Sequence, residues 1–264
     1  MSFGLDISYK TMKPAASGRI LFWNGGSLWI GLSGAATEIH SHHAVQISLS
    51  LSKAGLRLYR AEDDWKSYDA AIVAAHQNHA FDGGGELTGN IFVEPESRYG
   101  QALQQRAVES GILRISDGEI DDEVSALLHL YIMKADDTEL VTSARNLVAR
   151  LAGNMAVAGL ILDPRIERAI QRIREKIGAS ILLADIAESA HLSPDRFRHL
   201  FLEQTGIRFR PYVLWLRIEL ALSAYTANRN LTEAAQAGGF ADSAHFTRTF
   251  KSMFGIAPSS VKID

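Results

Sequence analysis

The chain has 264 residues, more than one hydrophobic core usually holds, so two domains are expected. It has no cysteine, which excludes disulfides and thiolate chemistry, and no run approaches the roughly 20 apolar residues of a membrane span. The net charge of −3 is unevenly distributed. From Arg165 onward, 14 Lys and Arg face 10 Asp and Glu, a balance of +4, whereas the first 164 residues hold 13 against 20, a balance of −7. We therefore expect a basic domain joined to an acidic one.

Short strands are predicted for the first ninety residues. Six apolar runs are separated by turn signals such as residues 24–26 and 82–85. The runs are Ile20–Trp23, Ser27–Leu32, Ala44–Leu51, Leu56–Tyr59, Ala70–Ala74 and Asn90–Val93. This spacing is typical of an antiparallel sandwich or a small barrel, which we interpret as a sensor region.

Helical spacing begins at Arg98. Two predicted helices carry apolar stripes, formed by Ile120, Val124, Leu127 and Tyr131 and by Leu140, Ala144, Leu147 and Leu151. These stripes must be buried, either against the barrel or against a second copy of the chain.

Asp163 and Pro164 mark the predicted domain boundary, because Asp favours the N-cap and Pro the first position of a helix. The predicted domains are residues 1–160 and residues 161–264. The basic residues of the helix that starts here are interpreted as a solvent-exposed face rather than as phosphate contacts.

The last third of the chain contains an internal repeat. Residues 183–187 match residues 231–235 at a spacing of 48, and Phe197 and Phe201 match Phe246 and Phe250 at a spacing of 49. Each copy predicts a short helix, a tight turn and a longer helix. Ser193 and Asp242 are placed to cap the two longer helices, so two helix-turn-helix motifs are expected.

The longer helix of each copy has a polar face opposite its phenylalanines. Arg can read guanine, His and Thr can meet base edges or phosphates, and Asp can accept from cytosine. The predicted DNA-binding residues are Asp195, Arg196, Arg198 and His199 in the first copy and Ser243, Ala244, His245, Thr247 and Arg248 in the second. A solvated amphipathic helix would explain either copy alone, whereas the repetition of helices, caps and basic faces favours DNA.

A single long helix, residues 209–228, is predicted between the two copies. At ~1.5 Å per residue it spans roughly 30 Å, close to the ~34 Å between successive major-groove faces of DNA. The two longer helices could therefore engage adjacent grooves on one side of a duplex.

Residues 239–251, GFADSAHFTRTFK, followed by residues 254–258, FGIAP, resemble the signature of the AraC/XylS family of transcriptional regulators. The resemblance extends back to about Pro164. It implies two recognition helices in adjacent major grooves of promoter DNA. The first copy departs from the family pattern by placing His199 where Arg is frequent.

The first half is similar to the cupin-like sensor domains of this family. His40 and His42 precede one strand and His79 follows another, where cupins place metal-binding histidines. The acidic ligand expected shortly after the first pair is absent, since Gln46 and Ser48 stand in that region. We therefore expect no cofactor and favour a metal-free ligand pocket. The alternatives are purely structural histidines and a metal ion held by His40, His42 and His79.

The predicted fold is α+β with two domains: a cupin-like β-barrel or sandwich with following helices, and an all-α domain of two helix-turn-helix motifs joined by a long helix. The predicted function is sequence-specific DNA-binding transcription regulation in response to a small-molecule effector. The residues predicted to bind that effector are Trp23, Trp29, His40, His42 and His79. The alternatives are a cupin-type metalloenzyme with a helical appendage, and a regulator whose N-terminal domain only dimerises or contacts RNA polymerase.

The expected partners follow from this interpretation. They are double-stranded promoter DNA, the effector, a second copy of the chain in a homodimer, and RNA polymerase, without a membrane. Since the first residues carry no export signature, we expect a cytoplasmic regulator without enzymatic activity, either an activator or a repressor.

Overall fold

The structure is a computed structural model that describes residues 14–60, 63–153, 162–228 and 230–264. Its strands are β1 (Ala16–Trp23), β2 (Gly26–Ser33), β3 (Val45–Ser50), β4 (Leu56–Arg60), β5 (Lys66–Tyr68), β6 (Ala70–Val73), β7 (His79–Asp82), β8 (Leu87–Val93), β9 (Ile112–Arg114) and β10 (Val261–Ile263). Its helices are α1 (Arg98–Ala107), α2 (Asp121–Ile132), α3 (Asp137–Ala152), α4 (Pro164–Glu175), α5 (Leu183–Ser189), α6 (Pro194–Thr205), α7 (Phe209–Asn228), α8 (Leu231–Ala237) and α9 (Ser243–Phe254). Within the described residues, no helix has the length and apolar character needed to cross a bilayer.

The strands form two sheets. One has seven strands in the order β10-β1-β2-β8-β3-β6-β9, and the other has three in the order β5-β4-β7. Apolar side chains of the small sheet, including Leu58 and Phe81, pack against those of β6 and β9. The predicted class, a β-rich first part followed by a helical last part, is confirmed, but among the strands that the structure describes the two sheets remain open and do not close into a barrel.

The seven-stranded sheet is covered on both faces. Because successive side chains of a strand point to opposite faces, Leu28 and Ile30 pack towards α1, α2 and α3, whereas Trp29 packs with helices of the C-terminal part. The stripes of α2 and α3 are buried against this sheet through residues such as Leu127 and Leu147. The stripes are therefore buried against the sheet of the same chain and not against a second copy.

Two helix-turn-helix motifs follow α4. They consist of α5 with α6 and of α8 with α9, and the 20-residue α7 joins them. The predicted caps are present, since Ser193 accepts from the backbone N–H of Arg196 and Asp242 from that of His245. Asp163 caps α4 with Pro164 in its first turn. The predicted domain boundary at residue 160 lies outside the described residues.

The C-terminal end of the chain returns to the first sheet. Strand β10 pairs in parallel with β1, with Ala16 opposite Val261 and Gly18 opposite Ile263. Strands β5, β7, β9 and β10 have only three or four residues, which explains why their apolar pattern did not predict them. As a result of the β1–β10 pairing, the helical part is joined to the β-rich part by backbone hydrogen bonds as well as by side chains.

The turns of the two motifs share one backbone conformation. His191 in the first motif has a φ of 56°, and Gly239 in the second has a φ of 70°. This left-handed region suits glycine and strains a residue that carries a Cβ. The repeat therefore extends to backbone angles, and the first copy holds a histidine where the second has glycine.

We expect His191→Gly to raise the free energy of unfolding by up to about 1 kcal/mol, because relief of the left-handed strain outweighs the added freedom of the unfolded chain. Chemical denaturation measures the change. The control, His199→Gly on the exposed side of α6, should lower the free energy of unfolding by about 1 kcal/mol. A destabilised His191→Gly protein would contradict the assigned strain.

Candidate DNA-binding faces and a buried histidine cluster

The predicted reading face of α6 is exposed. Its four predicted residues, Asp195, Arg196, Arg198 and His199, all lie on the solvent side. Phe197 and Phe201 on the opposite side are fully buried. Arg198 forms an ion pair with Asp195, and Nδ1 of His199 contacts the backbone oxygen of Asp195 at 2.8 Å. This face therefore presents a small, internally bonded set of groups rather than scattered charges.

The predicted face of α9 is also turned outwards. Ala244 and Arg248 are exposed, whereas Ser243, His245 and Thr247 are half-buried. The ring of His245 lies 5.2 Å from that of Phe240, which accounts for its partial burial. Arg248 makes no ion pair with any residue in the described part of the chain. Arg248 therefore presents an uncompensated guanidinium on this face.

Helix α7 fixes the two motifs to one another. Tyr212 of α7 lies 5.2 Å from Phe201 of the first motif. At the other motif, a Cβ on Gly238 would come within 2.6 Å of the backbone oxygen of Arg217 and 2.7 Å of the Cβ of Ala221. Gly238 has a right-handed φ of −75°, so only Gly239 of this turn has a left-handed angle. Gly238 is instead needed for the close approach of α7 and α8.

Helix α9 also packs on the seven-stranded sheet. Trp29 stacks on Phe250 at 6.1 Å with an interplanar angle of 11°, and it lies 4.7 Å from Phe254. Phe92 of β8 completes this aromatic cluster at 5.1 Å from Trp29. The same helix thus faces solvent with Arg248 and the sheet with its phenylalanines.

A cavity of about 90 Å³ lies between the sheet and the C-terminal end of α9. Its walls are mainly apolar and come from both parts of the chain, with Trp29 and Phe92 on one side and Phe254 on the other. His40 and Gln46 supply polar atoms to it. Of the five residues predicted to bind the effector, Trp29 and His40 line this cavity.

Trp23 lies elsewhere, in a crevice formed with Glu94 and Arg174, so the structure does not bring the two predicted tryptophans together.

His40, His42 and His79 converge next to the cavity. All three are buried, and one ring nitrogen of each lies within 4.8 Å of the others. Each Nδ1 contacts a backbone oxygen: that of Glu38 at 2.9 Å for His40, that of Ala44 at 2.9 Å for His42, and that of Gln77 at 2.8 Å for His79. The chain thus orients the three rings by backbone contacts.

Gln46 completes the cluster. Its Oε1 lies 2.9 Å from Nε2 of His42 and 3.2 Å from Nε2 of His79, and its amide nitrogen contacts Ser48 and Asn90. Burial lowers the pKa of His42 to about 3, and it holds the pKa of His79 well below its ordinary value. Three neutral imidazoles and an amide oxygen form a donor set that fits a divalent transition metal.

A second buried polar cluster was not predicted from the sequence. Arg174 of α4 pairs with Glu94, whose side chain is only 6% exposed, and His43 pairs with Glu96 at 2.9 Å. Burial and the neighbouring charge of Glu96 raise the pKa of Glu94. The interpretation of the basic residues of α4 as solvent-exposed is therefore wrong for Arg174, which links the helical part to the sheet.

Glu219 of α7 lies in the crevice with Glu94 and Arg174. Burial, followed by the charge of Glu94, raises the pKa of Glu219 well above its ordinary value. A carboxyl whose folded-state pKa is raised stabilises the fold below its unfolded pKa, and this contribution is lost as pH rises through the folded pKa. Above about pH 4.5 the wild type should therefore lose stability relative to Glu219→Gln.

The expected loss is about 1.4 kcal/mol per pH unit until the folded pKa is reached. Urea denaturation between about pH 5 and pH 7 measures this slope. Glu203→Gln, at an exposed position of α6, is the control and should show no such slope. A pH-independent difference between wild type and Glu219→Gln would contradict the assigned burial.

Comparisons with known proteins agree with the C-terminal motifs. A helix-turn-helix domain profile matches residues 186–262. The XylDLEGF operon transcriptional activator 2 of Pseudomonas putida is 33% identical over 121 residues, covering 44% of this chain and 77% of that protein. The uncharacterized HTH-type transcriptional regulator YidL of Escherichia coli is 37% identical over 103 residues, covering 38% of this chain but only 35% of that protein.

Solved structures match over most of the chain. ToxT from Vibrio cholerae O395 has a TM-score of 0.56 at 14% identity, covering 89% of this chain and 95% of that one. A structure of unsaturated fatty acid bound wild-type ToxT from strain SCE256 has a TM-score of 0.52 at 13% identity, covering 89% and 92%. These matches show that the β-rich and helical parts together form a fold seen before.

Proposed function

Because this chain belongs to the AraC/XylS family of transcriptional regulators, we propose that it binds promoter DNA through α6 and α9. The observation that carries this proposal is the pair of exposed polar faces, one on each motif, beginning at the equivalent caps Ser193 and Asp242. The 20-residue α7 between them is about 30 Å long, which matches one turn of B-DNA.

Each face has side chains suited to reading bases. In this proposal, Arg198 and Arg248 each donate two hydrogen bonds to a guanine, and Asp195 accepts one from a cytosine. Because Arg198 is paired with Asp195 in the free protein, binding exchanges that ion pair for contacts with the duplex. Arg196, His199, Ser243, Ala244, His245 and Thr247 complete the two proposed faces.

Hydroxyl-radical footprinting on the DNA upstream of the gene tests the arrangement. We expect two protected segments on one side of the duplex, about 10 base pairs apart from centre to centre. Arg248→Ala should weaken protection of one segment more than that of the other. Uniform protection without two segments, or no protection at all, would contradict the proposal.

The cavity beside α9 is the proposed effector site. Its apolar walls and its polar end at His40 and Gln46 suit a small, mostly apolar molecule with one polar group. Support comes from ToxT, a protein of the same fold with a structure in the fatty-acid-bound state. With decanoate as the probe, we expect a higher melting temperature and a changed DNA affinity. An unchanged melting temperature at every decanoate concentration would count against this ligand class.

The outer side of α2 is the proposed surface for a homodimer. Ile132 and Met133 at its C-terminal end are 63% and 66% exposed, and Leu128 one turn earlier is half-buried. Large apolar side chains gathered at one exposed site are typical of interfaces. A dimer would suit two DNA half-sites. We further propose that the DNA-bound protein acts in the cytoplasm and contacts RNA polymerase.

Ile132→Glu combined with Met133→Glu should convert a dimer to a monomer in sedimentation velocity, because two charges would be buried at the interface. Leu182→Glu, at a position 59% exposed in the C-terminal part, is the control and should leave the mass unchanged. An unchanged mass for the α2 variant would exclude α2 as the dimer surface.

A metalloenzyme is the second candidate function, favoured only by the convergence of His40, His42 and His79. It would require turnover of a substrate in addition to a bound metal. We propose regulation without catalysis, since the exposed faces of α6 and α9 have no role in an enzyme.

A further inference from the structure

The neutral histidines of the cluster have too few N–H protons to form a hydrogen bond at each of their close contacts. A backbone oxygen accepts only, so Nδ1 of His42 and Nδ1 of His79 must each carry the proton of a neutral ring. Their Nε2 atoms then carry no proton and can only accept a hydrogen bond through a lone pair. Both point at Oε1 of Gln46, which is another acceptor, at 2.9 Å and 3.2 Å. Buried acceptors that face one another without a proton between them are unfavourable.

Two arrangements resolve this conflict. A cation among the lone pairs would satisfy the two histidines and Gln46 together. Alternatively, the Gln46 amide would have to be reversed, which turns its oxygen towards Ser48 and Asn90. The first arrangement uses the orientation of Gln46 as it stands, because the amide nitrogen already contacts Ser48 at 2.8 Å and Asn90 at 3.1 Å.

We propose that His40, His42 and His79, with Oε1 of Gln46 as a fourth donor, bind a divalent transition-metal ion such as Zn²⁺. One ring nitrogen of each histidine lies within 4.8 Å of the other two, so small side-chain movements would bring all three to about 2 Å from a common ion. Imidazole-rich sites favour Zn²⁺, Ni²⁺ or Co²⁺ over Mg²⁺ and Ca²⁺. The Nδ1 contacts with backbone oxygens are the outer contacts that orient metal-bound histidines elsewhere.

The proposed site is joined directly to α9. The ring of His42 lies 6.0 Å from that of Phe254. Two residues before His40, the backbone N–H of Glu38 donates to the oxygen of Gly255 at 2.9 Å, and the side chain of Glu38 pairs with Lys251 at 2.7 Å. A Cβ on Gly255 would come within 2.8 Å of Nδ1 of His40, so this contact leaves no space. A metal ion that orders residues 38–42 therefore also orders the C-terminal end of α9.

Metal content tests the site independently of DNA binding. The full chain is loaded with Zn²⁺, dialysed and analysed by inductively coupled plasma mass spectrometry. We expect about one Zn²⁺ per chain, and at least about a tenfold loss in His42→Ala and His79→Ala, since three protein ligands are typical of an open zinc site. His129→Ala, at an exposed position of α2, is the matched control and should retain the metal.

A variant that binds Zn²⁺ more tightly than the wild type cannot owe that change to misfolding, so it complements the two alanine variants. Gln46→Glu replaces the amide oxygen with a carboxylate, and we expect it to bind Zn²⁺ at least about tenfold more tightly. Co²⁺ titration gives a visible absorption band as a second readout. Hydrogen exchange at residues 250–255 should be slower with Zn²⁺ than with chelator. No retained Zn²⁺ in the wild type and no tightening in Gln46→Glu would overturn the proposal and favour a reversed Gln46 amide.

Discussion

Arg248→Ala is expected to weaken binding to the upstream DNA by about 10- to 100-fold, the cost of losing one arginine that contacts a base. Arg248 is exposed on α9 and has no ion pair within the described part of the chain, so its removal leaves no buried charge. The folded protein should therefore keep its stability. Fluorescence anisotropy with a labelled duplex measures the affinity, and chemical denaturation verifies the fold.

Arg168→Ala is the matched control for this experiment. Arg168 is also exposed and also belongs to the basic C-terminal part, but it lies on α4, outside both helix-turn-helix motifs. We expect its loss to change DNA affinity by less than about threefold, as for a distant surface charge. Equal losses for Arg168→Ala and Arg248→Ala would mean that general positive charge, and not the face of α9, holds the DNA.

Arg174→Ala is expected to lower the free energy of unfolding by about 3 kcal/mol, because it leaves Glu94 buried without its partner. Glu94 can relieve part of this cost by taking up a proton. Since removal of the arginine raises the pKa of that carboxyl further, the loss of stability should grow as pH rises from about 5 to about 8. Urea denaturation at several pH values measures both the size and the slope.

Arg172→Ala on the same helix is the control for Arg174→Ala. Arg172 pairs with Glu175 at the surface, where both side chains are about half exposed, and no measurable change is expected. If Arg172→Ala and Arg174→Ala had the same effect on unfolding, Arg174 would not be the ion-pair partner that joins α4 to the sheet.

The helix bounds and caps of the C-terminal motifs could be predicted because short segments of sequence determine them. Helix α7 has the bounds that its apolar spacing indicates, and Ser193 and Asp242 cap the helices they were expected to cap. Periodicity and capping act over three or four residues, so one sequence is enough to reveal them.

The features that escaped prediction depend on residues far apart in the chain. The Arg174–Glu94 pair joins positions 80 residues apart, and β10 pairs with β1 at the opposite end of the sequence. In both pairs, the sequence around one member contains nothing that identifies the other member. The separation of Trp23 from Trp29 escaped prediction for a similar reason, because strand spacing shows which face a side chain takes only after the sheet order is known.

The convergence of three histidines could be expected in part from the sequence. Their positions next to strands drew attention to His40, His42 and His79, and the structure brings these three together. The contacts of Gln46 with the rings could not be predicted, because the orientation of its amide depends on Asn90, 44 residues away. The backbone bridge between His40 and His79 is likewise a long-range contact.

Helix α9 belongs to the second helix-turn-helix motif and also packs on the seven-stranded sheet, so it connects the helical part of the chain with the β-rich part. Phe250 and Phe254 contact Trp29, while Arg248 faces away on the same helix. A ligand in the cavity beside Phe254 would touch the helix that carries the proposed reading face. Coupling of this kind requires the ligand to prefer one position of α9, and by linkage DNA must then change the affinity for the ligand equally.

The salt dependence of binding to the upstream duplex tests the central claim most directly. If α6 and α9 enter two grooves, the logarithm of the binding constant should fall linearly with that of the salt concentration, with a slope steeper than about −3. The combined Arg198→Ala and Arg248→Ala variant should bind far more weakly and show a shallower slope. Absence of affinity at moderate salt, or a slope that the two arginines do not change, would contradict DNA recognition by these faces.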